Sequence, residues 1–363
     1  MIGDVLLTTE APLGEVAQLK DDRIALAQRI ILLRGKPGLL DNTYLKFLLL
    51  SEPIQAELRG RASGTTVVGI KQSELRKVVL PLPPIDEQCA IASVLGALDD
   101  KIAQNRCTAQ ALERLVRAIF RAWFVDFEPV KAKAAGATSF PSMPQPVFDA
   151  LPTRFVDSDI GPVPEGWDVE PLSKVCTLVS GGTPKRSESS YWGGGVPWYS
   201  VRDAPSDSNV WVTTTTDEIS EEGLVNSAAR LLPKGGTIIS ARGTVGKIAM
   251  VGVPMAFNQS CYGLLPADEQ AFGYLYQLVQ SAVGELQQRT HGSVFDTITR
   301  TTFDALAVVS PKRAVVTSFT LVTNPLFEVM LSLKQESTKL AEMRDYLLPR
   351  LLSGVVRVEA VHG

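Results

Sequence analysis

Two long stretches of the chain place apolar residues at alternating steps of four and three. The first runs Ile91, Leu95, Leu98, Ile102, Asn105, Ala109, Leu112, Val116, Ile119 and Trp123. The second runs Phe319, Val322, Leu326, Val329, Leu333, Glu336, Leu340, Met343 and Leu347. The mean step of about 3.5 residues is the coiled-coil period rather than the 3.6 of a helix lying on a globular core. Each stretch predicts a helix of about 30 to 40 residues, spanning roughly 45–60 Å. Each seam has one polar position, Asn105 in the first and Glu336 in the second. A polar seam residue costs stability but fixes register and partner orientation. Pro325 falls inside the second pattern and is expected to start or kink that helix.

A second pattern precedes each helix. Gly3-Asp4-Val5-Leu6-Leu7-Thr8-Thr9 followed by Leu13-Gly14-Glu15-Val16-Ala17 reads as strand, turn, strand. Gly235-Gly236-Thr237-Ile238-Ile239-Ser240-Ala241 followed by Val245-Gly246-Lys247-Ile248-Ala249 reads the same way, about 230 residues later. The offset also relates Tyr44-Leu45 to Tyr274-Leu275, Gly64-Thr65-Thr66-Val67 to Gly292-Ser293-Val294-Phe295, and Pro81 to Pro311. Two heptad runs in matched positions argue against the simpler reading, two helices that merely belong to separate cores. Ahead of Gly235 the second copy has about 70 residues, from Gly161 onward, with no counterpart ahead of Gly3. The first copy is therefore expected to be cut roughly in half at its front. Residues 129–160, rich in Ala, Pro and other small side chains, read as a linker.

Composition sets limits on this picture. With 45% apolar and 21% charged residues, the 363-residue chain is ordinary for a globular protein of two modest domains. No unbroken apolar run approaches a membrane span and no secretory leader pattern stands at Met1, so a cytoplasmic protein without a membrane partner is expected. Cys89, Cys107, Cys176 and Cys261 are scattered, and all four read as small buried hydrophobes in a reducing compartment. The net charge of −3 does not advertise a nucleic-acid binder. Cations gathered on one face, or a basic partner, would still allow DNA binding.

Several motifs, in their order, are recognisable. Pro81-Leu82-Pro83-Pro84-Ile85-Asp86-Glu87-Gln88, Leu98-Asp99-Asp100-Lys101-Ile102 and Trp123-Phe124-Val125-Asp126-Phe127 resemble the central conserved region of type I restriction-modification specificity subunits. Gly166-Trp167, Gly181-Gly182-Thr183-Pro184, Tyr191-Trp192-Gly193-Gly194 and Ala256-Phe257-Asn258-Gln259 resemble that family's target-recognition domain. Leu347-Leu348-Pro349-Arg350-Leu351-Leu352-Ser353-Gly354 resembles its C-terminal helix end. The resemblance covers essentially the whole chain. It implies an α+β fold in which one partial and one complete target-recognition domain are separated by two long antiparallel coiled-coil helices, as a pseudo-twofold repeat. The expected segments are a partial recognition domain at 1–83, a spacer helix at 84–128, the linker at 129–160, a complete recognition domain at 161–312, a second spacer helix at 313–354 and a tail at 355–363. It also implies a non-catalytic subunit that reads a bipartite site on double-stranded DNA. Methyltransferase subunits and a restriction/translocase subunit would be its partners, and would carry the S-adenosylmethionine, ATP and Mg.

The residues themselves argue against chemistry in this chain. Only His291 and His362 are histidines, which disfavours Ser-His-Asp and Cys-His devices. No metal-ligand spacing is present, and Gly243-Thr244-Val245-Gly246-Lys247-Ile248 lacks the spacing of a P-loop and reads as a hairpin turn. DNA readout instead needs Arg, Lys, Asn or Gln on loops. Lys185 and Arg186 lie in a flexible polar loop after Gly181-Gly182-Thr183-Pro184, and Arg202 follows the strand-like Trp198-Tyr199-Ser200, in which Trp198 reads as core. Arg242 and Lys247 flank a glycine turn, and His291 adjoins Gly292-Ser293. These six are the candidate DNA contacts, while Asn258-Gln259 read as structural. Competing readings are a truncated or orphan specificity subunit, inactive alone or dimerising as a half-subunit, and a coiled-coil adaptor with no DNA role. A fused restriction-modification enzyme would need a further catalytic region of several hundred residues, which this chain lacks.

Overall fold

A computed structural model describes residues 1–64, 67–205, 209–290 and 297–358. The chain divides into two compact units, Met1–Asn105 with Glu336–Gly363, and Arg106–Gln335. The division therefore falls within both long helices, Ile85–Phe124 and Arg313–Leu352, and not at their ends.

In the first unit, β1 (Val5–Thr9) pairs antiparallel with β2 (Leu13–Gln18) and β3 (Ile30–Leu33), giving the order β2-β1-β3. Buried Asp4 accepts two 2.6 Å bonds from Arg34, which ties the start of β1 to the residue after β3. Helix α1 (Asn42–Leu50) begins where the Asp41 carboxylate caps the Tyr44 N–H, and it buries Tyr44, Leu45, Phe47, Leu48 and Leu49. Helix α2 (Glu52–Arg61) adds Ile54 and Leu58. The first long helix contributes Ile91 and Leu95 to this core, and the second contributes Leu351. Farther along the pair, Asn105 Nδ2 donates to Glu336 Oε2 at 2.8 Å, with Lys101 3.7 Å from the same oxygen. The two helices therefore run antiparallel here, and the polar positions of the two heptad patterns meet.

The second unit holds a five-stranded sheet. It is built from β4 (Cys176–Ser180), β6 (Trp211–Val212), β8 (Thr237–Ser240), β9 (Ile248–Val251) and β11 (Cys261–Pro266); β5 (Trp192–Tyr199), β7 (Asp217–Ile219) and β10 (Ala256–Phe257) form a second sheet. The orders are β4-β11-β8-β9-β6 and β7-β5-β10. Helix α3 (Phe272–Thr290) packs on the larger sheet. Phe120, Trp123, Phe124, Trp167, Tyr274 and Phe319 form an aromatic cluster, with neighbouring ring centroids 5.1 to 6.2 Å apart. The Trp123-Phe124 motif is therefore core-building, and it too joins the long helices antiparallel.

Four expectations change. The second long helix runs unbroken through Pro325, which neither starts nor ends it. Its seam also differs from the heptad: Val329 is 46% exposed and Met343 52%, while Leu326, Leu333, Leu340 and Leu347 are half-buried. In the second unit its buried positions are Val315, Ser318, Phe319, Thr320, Thr323, Phe327, Met330 and Leu331, with Val315, Phe319, Thr323, Phe327 and Leu331 forming one row. Their repeated steps of four belong to a helix pressed on a globular core, not to a coiled-coil seam. On the first long helix Ile91, Leu95, Asn105 and Val116 are buried, and Leu98, Ile102, Leu112 and Ile119 are half-buried. Residues 129–160 are not a loose linker. Short helices Glu128–Ala134 and Gln145–Asp149 bury Val130 and Phe148 in the core of the second unit, and Met143 and Leu151, beside the second of them, are buried there too. Finally, Cys89 and Cys107 are exposed, whereas Cys176 and Cys261 are buried and burial raises both thiols to about 12.

The second long helix is also long and apolar enough to cross a membrane by length and composition. Phe319, Phe327, Met330 and Leu331 are buried in the protein's own core, which accounts for that apolarity.

Candidate nucleic-acid interface

Strand ends in the second unit gather five loops at one end of its sheets. Gly182 N–H donates to Phe257 O, Asn258 N–H to Tyr199 O, Ala241 N–H to Ser260 O and Ile298 N–H to Ala241 O, at 2.7 to 3.0 Å. These bonds link the segments that follow β4, β5, β8 and β10 to the one that leads into the short helix Arg300–Ala305. Lys185 and Arg186 come from the first segment, Arg202 from the second, and Arg242 and Lys247 from the third. All five are exposed, and all five were candidates on sequence grounds. His291 lies outside the described residues.

The loop bearing Lys185 and Arg186 is fixed at its base. A side chain on Gly181 would sit 2.1 Å from Asn258 O, and one on Gly182 would sit 2.2 Å from the backbone of Ala228. Only glycine allows that approach. The Thr183 hydroxyl donates to Gln259, and the indole N–H of Trp198 donates to Gly182 O at 3.0 Å. Trp198 is buried as expected, and Asn258 Oδ1 accepts from the Ser260 N–H at 3.0 Å. Residues 181–183 are therefore fastened to the neighbouring segments, at the base of the loop that carries Lys185 and Arg186.

Beyond this base, two of the cations converge. Arg186 Nη2 donates to Asp217 Oδ2 at 2.8 Å, and Arg202 Nη2 donates to the same oxygen at 3.2 Å. The Arg186 guanidinium also lies over Trp192 at 3.6 Å and Trp198 at 5.1 Å. Asp203 holds the turn that presents Arg202. It accepts from the backbone and hydroxyl of Ser200 and of Thr216. Burial alone would raise the Asp203 carboxyl, but these bonds outweigh it and keep it below the ordinary aspartate range. The hairpin turn between β8 and β9 carries Arg242 and Lys247 separately, with Gly243 and Gly246 at positive φ of 75° and 86°. Its conformation is held by the Ser240 hydroxyl, which accepts from Lys247 N–H at 2.8 Å. The arrangement offers guanidinium and ammonium groups on rigid loops, suited to phosphates and base edges.

The type I restriction modification DNA specificity domain family matches residues 2–114 and 164–313. The chain belongs to this family. Its role is accordingly DNA sequence specificity in type I restriction-modification, a role without catalysis of its own. Over 92% of its length the chain is 26% identical to the HindI specificity subunit of Haemophilus influenzae, 82% of which it covers. It is also 26% identical to the MjaIX specificity subunit of Methanocaldococcus jannaschii, over 98% of this chain and 78% of that one. The crystal structure of the type I S subunit from M. genitalium shares the fold, with a TM-score of 0.58 at 18% identity. That match covers 97% of this chain and 83% of the other.

Sequence reading passed over two residues at this loop end. Asp217 carries no motif, and its partners lie 31 and 15 residues away, so no local pattern announces it. Arg300, also exposed, donates to Leu178 O at 3.1 Å, two residues after Ile298 joins this end through Ala241. The capping box of Thr299 and Thr302, which places it at a helix start, was the available signal.

Proposed function

We propose that the loop end of the second unit reads one half of a split DNA site, through Lys185, Arg186, Arg202, Arg242 and Lys247. The observation that carries this reading is the convergence of the cation-bearing loops on one end of the sheets, in a chain whose net charge is negative. The paired long helices set the distance between half-sites, which on DNA repeats every ~34 Å turn. Methyltransferase subunits bind around these helices and a restriction/translocase subunit joins them; S-adenosylmethionine, ATP and Mg act on those subunits. The assembly works in the cytoplasm. The repeat of strand, turn and helix supports equivalent docking of two identical partners.

The test is co-purification with methyltransferase subunits, followed by methylation sequencing of DNA exposed to the complex. A split motif, with a gap that changes when four residues are inserted between Lys101 and Leu115, is expected. A gap that stays the same after the insertion rules out the helices as the ruler. A complex that assembles but methylates no motif rules out DNA reading.

A further inference from the structure

We infer that Arg186 reads a guanine in the half-site, and that Asp217 is the positioning residue that holds its guanidinium ready to do so. This rests on the reading of the loop end as a DNA interface. The two arginines on Asp217 are not equivalent. Among the described residues Arg202 has the carboxylate alone, at 3.2 Å, and 66% of its side chain is exposed. Arg186 has the carboxylate at 2.8 Å, the Trp192 ring at 3.6 Å and the Trp198 ring farther off at 5.1 Å. Those rings are themselves anchored. Trp192 Nε1–H donates to Lys185 O at 3.1 Å, Trp198 Nε1–H donates to Gly182 O at 3.0 Å, and the rings meet edge-on at 5.2 Å. The Trp192 ring restrains the Arg186 guanidinium at one side, and the bond to Asp217 restrains it at Nη2.

A guanidinium has five N–H donors, and Asp217 occupies one of them. The rest form a planar fork, and the guanine O6 and N7 present the matching pair of acceptors. Asp217 also selects the kind of acceptor. A phosphate brought to Arg186 would face a carboxylate 2.8 Å from the same group, whereas a base edge carries no net charge. Arg202, held by one longer bond, is free to leave Asp217 for a phosphate. The pair thus divides into a fixed base reader and a movable backbone contact. Fixing the fork before DNA arrives also removes the ordering of a long side chain from the cost of binding.

The experiment compares the motifs selected from randomised double-stranded DNA by the complex with methyltransferase subunits, carrying the wild-type chain or single variants. Arg186→Ala is expected to erase the preference for guanine at one position of one half-site, by about tenfold, and to leave the other positions as they were. Arg186→Lys keeps the charge and the fold without the fork, and is expected to lose preference at the same position. Asp217→Asn should weaken that position alone, and Asp217→Glu should restore part of it. Arg202→Ala should lower affinity at every sequence and flatten its salt dependence without changing the motif. Motifs unchanged at every position in both Arg186 variants overturn the assignment while leaving the DNA interface standing. A wild-type complex that selects no motif overturns the interface and this inference together.

Discussion

The hairpin that carries Arg242 and Lys247 in the second unit has a counterpart in the first unit with the same strands and the opposite charge. Aligning Gly3–Thr9 with Gly235–Ala241 places Glu10 against Arg242, and aligning Leu13–Ala17 with Val245–Ala249 places Glu15 against Lys247. Glu10 is paired with Arg29 at 3.2 Å. The sheets differ in extent as well. The order β2-β1-β3 repeats the middle of the larger sheet, β9-β8-β11, without equivalents of β4 and β6 at its edges. A third difference lies where each sheet domain meets the long helices. In the first unit Lys46 and Arg344 both pair with Asp99, whereas the matching positions in the second unit are Tyr276, Glu113 and Met330. Tyr276 and Met330 are buried there, and the Glu113 carboxylate is partnered by Arg117 and Gln280. One backbone plan thus tolerates an ionic junction and a mostly apolar one, because the strands and the helix faces set the plan. The charges at the turn are free to differ between the two copies.

The largest effect is expected at the junctions. Met330→Ala should cost about 2–5 kcal/mol, since a buried side chain is removed from a packed core. Asp99→Asn should cost about 1–3 kcal/mol, below the loss for a fully buried pair, because 21% of its side chain meets solvent. Burial raises the Asp99 carboxyl, but the bonds from Lys46 and Arg344 outweigh it and hold it below the ordinary 3.8. A depressed carboxyl stabilises the fold above its unfolded-state value and loses that contribution as pH falls through the folded-state value. Urea titrations from neutral pH down through the region below 3.8 should show the Asp99→Asn penalty shrinking and the Met330→Ala penalty constant. Equal pH behaviour of the two would erase the contrast between the junctions.

Charge reversal at the turn comes next. Arg242→Glu with Lys247→Glu makes the second hairpin resemble the first. DNA affinity of the complex should fall about 10- to 100-fold at moderate salt, with the log–log salt slope reduced by about 1.8. An unchanged slope, measured by anisotropy over a salt series, would remove this turn from the interface. Smallest are the substitutions Val329→Ala and Met343→Ala, each expected within about 0.5 kcal/mol of wild type in denaturant titrations. A loss of several kcal/mol at either would reinstate the heptad seam that the core-packed helix displaces.

Much of the architecture could be read from the residues, and the failures share a cause. Periodicity located both long helices and the polar pair Asn105 and Glu336, because a helix imprints its buried stripe on nearby positions. It misjudged Val329 because steps averaging 3.5 and steps of four part by a whole residue every two steps, so from Phe319 the buried row passes through Phe327 and Leu331 instead. The segment at 129–160 looked like a linker by composition, yet a few aliphatic and aromatic side chains, Val130, Phe148 and Leu151, were enough to dock it. The loops bearing Lys185, Arg186, Arg202, Arg242 and Lys247 were found from residue type and turn glycines. Their common end, and the meeting of Arg186 and Arg202 on Asp217, depend on sheet order, which no local pattern encodes.

The four thiols supply a way to watch one unit breathe. Cys89 and Cys107 both lie exposed on the first long helix, so an alkylating reagent at neutral pH should add two labels to the intact protein. Cys176 and Cys261 sit on the adjacent strands β4 and β11, covered and held protonated by burial. A third or fourth label, counted by intact mass, would therefore mark a molecule whose five-stranded sheet has opened. The rate of that extra labelling is a clock for local unfolding that requires no mutation and no added probe.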